Sequence, residues 1–396
     1  MSLDFRDTSI AFKSHSTRSL QRSKWLFLVI SNPFLVKIGK SLTVFAFKLK
    51  LPINFLILKT VFKQFCGGQT VEDSKEVISE NWKFKVGSIL DYSVEGQTNE
   101  FEFNNTKEAI IETIRTSKNN HGVPLAVFKV TGLINIKLLE KKSANLKFDK
   151  KEENDWEKGI KRVNEILSFA NSLDVPIMID AEESWIQKAI DEIAYNGMEL
   201  YNRKEVIIYN TIQCYKKNQL VGLKKNIKSA KEKGFMFGVK LVRGAYLEKE
   251  NSRSKEMDYE SPIHPSKFYT DKEFNDCMNY ILKIIDKPET KKSVSLILGT
   301  HNEESTMLAI KTLKENGWKH GEEPVLFAQL FGMSDNISYN LSNEGYKTAK
   351  YLPFGPIREV IPYLFRRAEE NTSVKGQTGR ELSLIKTELK RRKSIR

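Results

Sequence analysis

Eight short apolar segments, rich in β-branched residues, alternate along this chain with longer amphipathic segments. The apolar segments predict strands at residues 88–94, 125–131, 175–181, 206–213, 236–243, 294–301, 325–330 and 348–353. The segments between them predict helices at residues 154–173, 184–196, 222–233, 271–286, 303–315 and 335–344. Because parallel neighbours need a crossover connection, this alternation predicts a parallel sheet. Eight such units within about 250–300 residues are typical of a closed (β/α)8 TIM-type barrel of the α/β class.

A doubly wound sheet is the main alternative to the barrel. It would carry a glycine-rich turn after its first strand, and neither G-x-G-x-x-G nor G-x-x-x-x-G-K-[ST] occurs in the sequence. The barrel therefore remains the predicted fold.

Polar side chains stand at the carboxyl ends of all eight predicted strands. They are Asp91, Glu95, Lys129, Thr131, Asp180, Glu182, Thr211, Gln213, Lys240, Arg243, Thr300, His301, Asn302, Gln329 and Tyr351. Each of them, taken alone, is explained as a loop residue or as a polar residue of the core whose hydrogen bonds are satisfied. Ligand sites of such barrels lie at this edge, so the full set predicts a binding site in the barrel mouth.

The net charge of +14 is confined to the two ends of the chain. Residues 1–64 hold eleven Lys or Arg against two Asp, a net of +9, and residues 383–396 hold six against one Glu, a net of +5. The remaining residues sum to zero, and they show neither zinc-finger spacing nor an aromatic RNA-binding strand. Nucleic acid is therefore not a predicted partner. The basic C-terminal tail suits either a solvated, mobile tail or contact with anionic lipid.

Residues 25–65 alternate apolar runs with lysines and predict two or three amphipathic helices broken near Pro33 and Pro52. No apolar run reaches the roughly 20 residues that span a bilayer, and the run from Trp25 is too short for a signal peptide. We expect these helices to pack on a larger domain, with contact to a membrane surface as the alternative. Three scattered cysteines fit a reducing cytoplasm, where the protein would be free or peripheral on the inner face of the membrane.

A pair of arginines, Arg366 and Arg367, follows the last predicted strand on a predicted helix, close to Glu369 and Glu370. One interpretation is a network of ion pairs on the surface of that helix. The other is bidentate capture of a carboxylate or phosphate. The spacing of these residues leaves both interpretations open.

Seven motifs resemble, in the same order, those of the proline dehydrogenase family, flavin enzymes that oxidise L-proline to 1-pyrroline-5-carboxylate. They are FCGG at 65–68, DAE at 180–182, TIQ at 211–213, LVRGAY at 241–246, GTHN at 299–302, YLPFG at 351–355 and RRAEEN at 366–371. The resemblance implies a distorted (β/α)8 barrel that binds FAD non-covalently. It also implies a division into an N-terminal basic helical segment at 1–80, a catalytic domain at 81–375 and a basic tail at 376–396.

On the substrate side, the resemblance implies roles for Glu95, Lys129, Asp180, Tyr246, Tyr351, Tyr363, Arg366 and Arg367. Arg366, Arg367 and Lys129 would hold the proline carboxylate, and Glu95 would orient Arg366. Asp180 would hold a neighbouring lysine or tyrosine network. The three tyrosines, together with Leu241, would form the wall around the proline ring.

On the cofactor side, the resemblance implies that FAD contacts Gln213, Lys240, Val242, Arg243, Gly244, Thr300, His301, Asn302 and Glu370. Many members of the family have Arg at the position of Lys240. His301 is expected to donate or accept hydrogen bonds rather than to bind metal, because no second ligand stands at a suitable spacing.

The resemblance also implies partners and alternatives. Reduced flavin would pass its electrons to a membrane quinone, and a separate pyrroline-5-carboxylate dehydrogenase would consume the product. Hydroxyproline dehydrogenase is the first alternative, although the bulk of Tyr351 argues against it. A Schiff-base aldolase using Lys129 is a remote second alternative.

Overall fold

The structure, a computed structural model, describes residues 3–94, 96–285, 293–322, 324–373 and 377–395. Its strands close into a parallel barrel in sequential order, which confirms the predicted fold class. The strands are β1 Val86–Tyr92, β2 Ala126–Phe128, β3 Ile177–Ile179, β4 Ile208–Gln213, β5 Phe237–Val242, β6 Val294–Gly299, β7 Val325–Leu330 and β8 Thr348–Phe354.

Two of the strands, β2 and β3, are shorter than the sequence predicts, with three residues each. After β2 the chain turns into a 3₁₀ helix at Val130–Gly132. This turn lets the backbone N–H of Thr131 donate a hydrogen bond of 3.0 Å to Glu182, beyond the end of β3. The apolar runs extend further than the hydrogen-bonded ladder, which is why their full length overestimates both strands.

Seventeen α-helices lie in the described part of the chain. They are α1 Thr8–Ala11, α2 Thr17–Ile30, α3 Pro33–Lys48, α4 Asn54–Ile57, α5 Lys63–Phe65, α6 Val71–Trp82, α7 Glu100–Asn119, α8 Ile136–Ser143, α9 Lys150–Ser172, α10 Ser184–Tyr201, α11 Gln219–Glu232, α12 Leu247–Glu256, α13 Lys267–Ile284, α14 Glu303–Glu315, α15 Asp335–Asn343, α16 Ile357–Ser373 and α17 Gln377–Ser394. A π-helical turn, Leu58–Phe62, joins α4 to α5.

Side-chain caps explain where several of these helices begin. Asp149 and Glu152 form a capping box that starts α9 four residues before its predicted position. Asn32 caps α3, and Pro33 occupies the first turn, where its missing N–H costs nothing. The predicted break near Pro33 is therefore confirmed as the start of a new helix.

Internal contacts divide the chain into two units. The first unit comprises Met1–Ser93 and Gln329–Arg396, and the second comprises Val94–Ala328. The predicted domain boundaries after residues 80 and 375 stay a prediction. Helices of the first unit bury a common apolar cluster that includes Ala11, Leu20, Phe27, Phe65, Val360, Leu364 and Ile385.

The N-terminal helices of the first unit differ in how they are packed. Helix α2 buries Leu20, Leu26, Phe27 and Ile30, as expected for packing on a larger body. Helix α3 buries only Ala46 among its sixteen residues, so the expectation of core packing is wrong for most of α3. No single helix in the described ranges is long and apolar enough to cross a membrane, whereas α2 and α3 pass that test only as a pair bent by 94°.

The C-terminal basic segment folds as helix α17, and the interpretation as a mobile tail is therefore wrong. Its Glu388 is fully buried and accepts hydrogen bonds from Arg391 and Arg392. Arg392 also donates to the carbonyl oxygens of Phe12 at 2.9 Å and His15 at 2.8 Å. Burial alone would raise the pKa of Glu388, but the two arginines lower it to about 2.

Candidate active site

Three charged side chains meet at the carboxyl ends of β2, β3 and β5. One carboxylate oxygen of Asp180 accepts a hydrogen bond of 3.2 Å from the Nζ of Lys129, and the other accepts one from Lys240. The three side chains are only 8–11% exposed. Asp180 thus holds two ammonium groups in place with charge-assisted hydrogen bonds. We call Lys129, Asp180 and Lys240 the Asp180 cluster.

The strands place this cluster through their register. Asp180 follows β3, and its backbone N–H donates a hydrogen bond of 2.9 Å to the carbonyl of Phe128 at the end of β2. Lys240 lies opposite Thr211 in the β4–β5 pairing. Side chains alternate between the faces of a strand, so Val242 shares the face of Lys240. Leu241 is fully buried on the other face, and its place in the wall around the proline ring stays a prediction.

Hydrogen bonds fix the loops around the Asp180 cluster. The backbone N–H and the hydroxyl of Thr131 both donate to the carboxylate of Glu182. Gln213 donates from its Nε2 to the carbonyl of Glu182 at 2.7 Å and accepts at its Oε1 from the N–H of Ala245 at 3.3 Å. The predicted cofactor residue Gln213 therefore also connects the loops that follow β3 and β5.

Arg243, directly after β5, is held from three sides. Its guanidinium donates to Asp271 at 2.6 Å, to Thr300 at 2.7 Å and to Ser305 at 3.0 Å. It also stacks over the ring of Phe274 at 4.4 Å. This arrangement brings together two predicted cofactor residues, Arg243 and Thr300, in a fixed geometry.

Asp271 has a second cation beside it, because Lys267 also donates to its carboxylate. Burial alone would raise the pKa of Asp271, but the hydrogen bonds from Lys267 and Arg243 lower it below its ordinary value. Like the Asp180 cluster, this group combines two cations with one anion.

The turn after β5 depends on a glycine. Gly244 has a φ of +133°, and a Cβ at this position would lie 2.5 Å from the ring of Tyr215. A side chain is therefore excluded both by backbone strain and by contact. Tyr246, two residues later, is 5% exposed, and the Nζ of Lys249 lies 5.4 Å from its ring centre.

The segment after β6 carries Thr300, His301 and Asn302. Asn302 caps α14 by accepting the N–H of Ser305 at 2.8 Å, and its own N–H donates to the hydroxyl of Thr300 at 3.1 Å. His301 is half-buried beside them. Within the described ranges no group of three or more His, Cys, Asp or Glu is arranged to hold a metal ion.

Sequence reasoning missed three residues that hold this region in place. Asp271 and Ser305 lie on α13 and α14 and bind Arg243. Glu250 on α12 is fully buried and accepts the N–H and the hydroxyl of Ser184 at 2.6 and 2.5 Å. All three lie within helices between other polar residues, and no local motif distinguishes them from solvent-facing positions.

In the first unit, α16 carries the predicted carboxylate-binding residues. Arg367 is 6% exposed, and its guanidinium lies 5.1 Å from the ring centre of Tyr363 on the preceding turn. Arg366 is half-buried. Tyr351, on β8, is 9% exposed. Glu95 and the side chains of Glu369 and Glu370 fall outside the described part of the chain.

The donors of the second unit fit a flavin nucleotide. At the ends of β4, β5 and β6 they comprise the ammonium of Lys240, the guanidinium of Arg243, the amide of Gln213 and the hydroxyl of Thr300. Cations and hydroxyls are the usual partners of phosphate groups, and amide and ammonium donors suit the heteroatoms of a flavin ring.

Comparisons with known proteins agree with this chemistry. The sequence model of the proline dehydrogenase family matches residues 74–380. The chain is 33% identical to "Proline dehydrogenase 1, mitochondrial" of Dictyostelium discoideum, covering 98% of this chain and 74% of the relative. It is 28% identical to "Hydroxyproline dehydrogenase" of Xenopus laevis, covering 98% and 90%.

Among solved structures, proline utilization A from Bdellovibrio bacteriovorus superposes with a TM-score of 0.71 at 18% identity, covering 94% of this chain. This chain spans only 38% of that longer protein, and the likeness concerns the fold. From the match of its sequence over most of its length, this chain belongs to the proline dehydrogenase family.

Proposed function

We propose that this chain oxidises L-proline to 1-pyrroline-5-carboxylate with non-covalently bound FAD. Membership of the family supports the reaction. The observation that carries the proposal is the Asp180 cluster, in which two lysines are held by one carboxylate at the strand ends where barrels of this class bind their ligands.

FAD, when bound, accepts the hydride that leaves the ring carbon next to the proline nitrogen. The chain's own residues would bind the cofactor and the substrate and orient them toward each other. We propose that Lys240, Gln213, Arg243 and Thr300 hold the cofactor, with Val242, Gly244, His301, Asn302 and Glu370 as further contacts. Asp180 fixes the ammonium groups of Lys129 and Lys240, so neither lysine has to reorganise when a ligand arrives.

For the substrate carboxylate, we propose Arg366 and Arg367 as ligands, with Glu95 as an orienting residue of Arg366. The stacking of Arg367 on Tyr363 supports this role, because it holds a planar guanidinium in one orientation. We also propose Lys129 as a carboxylate donor, and Tyr246, Tyr351 and Tyr363 as apolar walls. The aldolase alternative lacks support, since Lys129 lies in an ion pair rather than in an apolar pocket.

The electron acceptor and the next enzyme are part of the proposal. A membrane quinone would take up the two electrons, and a separate pyrroline-5-carboxylate dehydrogenase would oxidise the product. We further propose that the protein works in the cytoplasm at the inner face of the membrane. The net charge of +9 in residues 1–64 supports attraction to an anionic membrane surface.

The experiment compares L-proline with trans-4-hydroxy-L-proline, using the full chain, added FAD and a soluble quinone. The product is trapped with o-aminobenzaldehyde. We expect faster turnover of L-proline, because the buried Tyr351 leaves less room for a hydroxyl group. Faster turnover of hydroxyproline would establish the alternative, to which the similarity with the Xenopus laevis protein points.

A variant pair tests the carboxylate site in the same assay. Arg367→Lys should raise KM for proline by about tenfold or more, because a lysine cannot make the bidentate contact. Arg203→Lys, on an exposed arginine of the second unit, is the control and should leave KM unchanged. An unchanged KM in Arg367→Lys would remove this residue from the proposed site.

A further inference from the structure

Helix α3 exposes a row of large apolar side chains. Phe34, Ile38, Leu42, Phe45 and Leu49 at its end are 69%, 39%, 60%, 59% and 55% exposed. Spacings of three and four residues place them on one side of the helix. We call these five residues the α3 apolar face.

The opposite side of α3 is anchored to α16, within the same unit. Lys40 places its Nζ 5.5 Å from the ring centre of Phe365, and the guanidinium of Arg358 lies 5.5 Å from the ring centre of Phe47. Ala46, which is buried, faces the same way. Because the inward side of α3 is already packed against α16, the α3 apolar face is not part of the core of this unit.

Neighbouring segments expose further large apolar side chains. They are Trp25 and Leu28 on α2, Leu51 after α3, and Phe55 and Leu56 on α4, all between 44% and 65% exposed. The Nζ of Lys59 lies 3.9 Å from the ring centre of Phe55. Aromatic and aliphatic side chains mixed with lysines are characteristic of helices that lie in a membrane interface.

The charge around this face has one sign. No acidic residue occurs between Thr8 and Val71, whereas that stretch contains ten Lys or Arg. Lys37, Lys40 and Lys48 line a groove of about 650 Å³ along α3, together with apolar side chains that include Pro33 and Val44. The groove thus combines an apolar floor with a lysine edge, which is complementary to lipids with negatively charged headgroups.

We propose that the α3 apolar face docks on the surface of an anionic lipid bilayer, with Lys37 and Lys48 at the headgroups. Helix α3 lies on the surface of the bilayer rather than across it with α2, because α2 buries Leu20, Leu26, Phe27 and Ile30 in the protein. Since α3 packs on α16, the docking surface is fastened to the helix that carries Arg366 and Arg367.

The test measures binding of the full chain to vesicles of neutral phosphatidylcholine and to vesicles that also contain phosphatidylglycerol. The wild type should bind the anionic vesicles and be released by high salt and by carbonate at high pH. Phe34→Glu combined with Phe45→Glu should reduce binding by about tenfold or more, since both charges would enter the interface. Phe101→Glu is the matched control, because Phe101 is 74% exposed on α7 of the other unit, and it should bind like the wild type.

A second variant does not alter the apolar face. Lys37→Ala combined with Lys48→Ala should weaken binding to anionic vesicles about 25-fold, because each lysine near such a surface contributes about a factor of five. Circular dichroism and thermal unfolding should show wild-type folding for both double variants, since the substituted side chains are exposed.

Four outcomes would overturn the proposal. The first two are equal binding of neutral and anionic vesicles, and unchanged binding of both double variants. The third is binding that resists carbonate, as expected if α2 and α3 crossed the bilayer as a bent pair. The fourth is a dimer that forms without lipid and that the Phe34→Glu and Phe45→Glu changes dissociate. The assay contains no proline and measures no turnover. The docking surface rests on the proposed location at the membrane, so a negative result here would remove that location but would leave the proposed oxidation of proline standing. Failure of the oxidation would leave the docking surface standing.

Discussion

Asp180 and Asp335 are buried carboxylates of different units, and each is held between two basic side chains. In the second unit Asp180 lies between Lys129 and Lys240. In the first unit Asp335 lies between Lys350, at 2.6 Å, and His15, at 2.8 Å. The same type of contact thus occurs at the candidate active site and in a part of the molecule to which no ligand is assigned.

The two groups differ in how completely their lysines are buried. Lys350 is 1% exposed and also donates a hydrogen bond of 2.6 Å to the carbonyl of Met333. Burial alone would raise the pKa of Asp335, but Lys350 and His15 hold it well below its ordinary value. Lys129 and Lys240 are 10% and 8% exposed at strand ends. We therefore expect Lys350, Asp335 and His15, the Asp335 group, to act on stability, and we propose that the Asp180 cluster binds a ligand.

The largest expected effect comes from a substitution that breaks the Asp335 group. Lys350→Met leaves a buried carboxylate without its main cation and should lower the free energy of unfolding by about 3–5 kcal/mol. Lys83→Met removes an exposed ion pair with Glu80 and should cost less than about 1 kcal/mol. Urea denaturation measures the free energy of unfolding of both variants. Equal losses would contradict the structural role of Lys350.

The corresponding change in the Asp180 cluster should act on activity. Asp180→Asn removes the carboxylate charge that Lys129 and Lys240 share, and it should lower kcat/KM for proline by about 100-fold. The free energy of unfolding should fall by less than in Lys350→Met, because water reaches Lys129 and Lys240 more easily.

Asp191→Asn is the control for Asp180→Asn. Asp191 is a carboxyl on α10 whose Oδ1 accepts from Asn210 at 2.8 Å and Gln187 at 2.9 Å, and the new amide oxygen can accept the same bonds. Steady-state kinetics should show wild-type activity for this control. Wild-type kcat/KM in Asp180→Asn would remove the cluster from the site.

A third change tests the balance of charge around Asp335. Burial, with Asp335 nearby, raises the pKa of Glu381 to about 7. The contribution of this carboxyl to stability is therefore present below its ordinary pKa and is lost as the pH rises through about 7. Glu381→Gln should be about 3 kcal/mol more stable than the wild type at pH 8 and similar to it near pH 4.5. A stability difference that does not change with pH would contradict the shifted pKa.

The smallest expected effect concerns the more exposed partner of Asp335. His15 is 26% exposed and donates one hydrogen bond to this carboxylate. His15→Ala should cost about 1 kcal/mol at neutral pH, the usual value of one hydrogen bond. Thermal unfolding measures the change, and a loss as large as that of Lys350→Met would show that the two partners contribute equally.

The barrel could be predicted because its signals are local. Strand β7 and helix α14 have the predicted bounds, since apolar spacing and the cap at Asn302 define their ends. The shortening of β2 could not be predicted, because it depends on a contact between Thr131 and Glu182, which are 51 residues apart in the sequence.

The sequence likewise predicted only part of the candidate site. Motif resemblance named Asp180 as the holder of a nearby network, but its partners are 51 and 60 residues away in sequence, so only the fold identifies both lysines. The exposure of α3 was not predicted either. Apolar runs separated by lysines have the same pattern in a core helix with a solvated edge and in a helix of the membrane interface.

An anaerobic titration of the FAD-loaded full chain with L-proline tests the central claim most directly. The absorbance of oxidised flavin is followed in the wild type, in Asp180→Asn and in the control Asp191→Asn. We expect L-proline to bleach the flavin in the wild type and in the control, and to do so far more slowly in Asp180→Asn. A folded wild-type protein that binds no FAD, or that keeps its oxidised flavin spectrum with excess L-proline, would contradict the account.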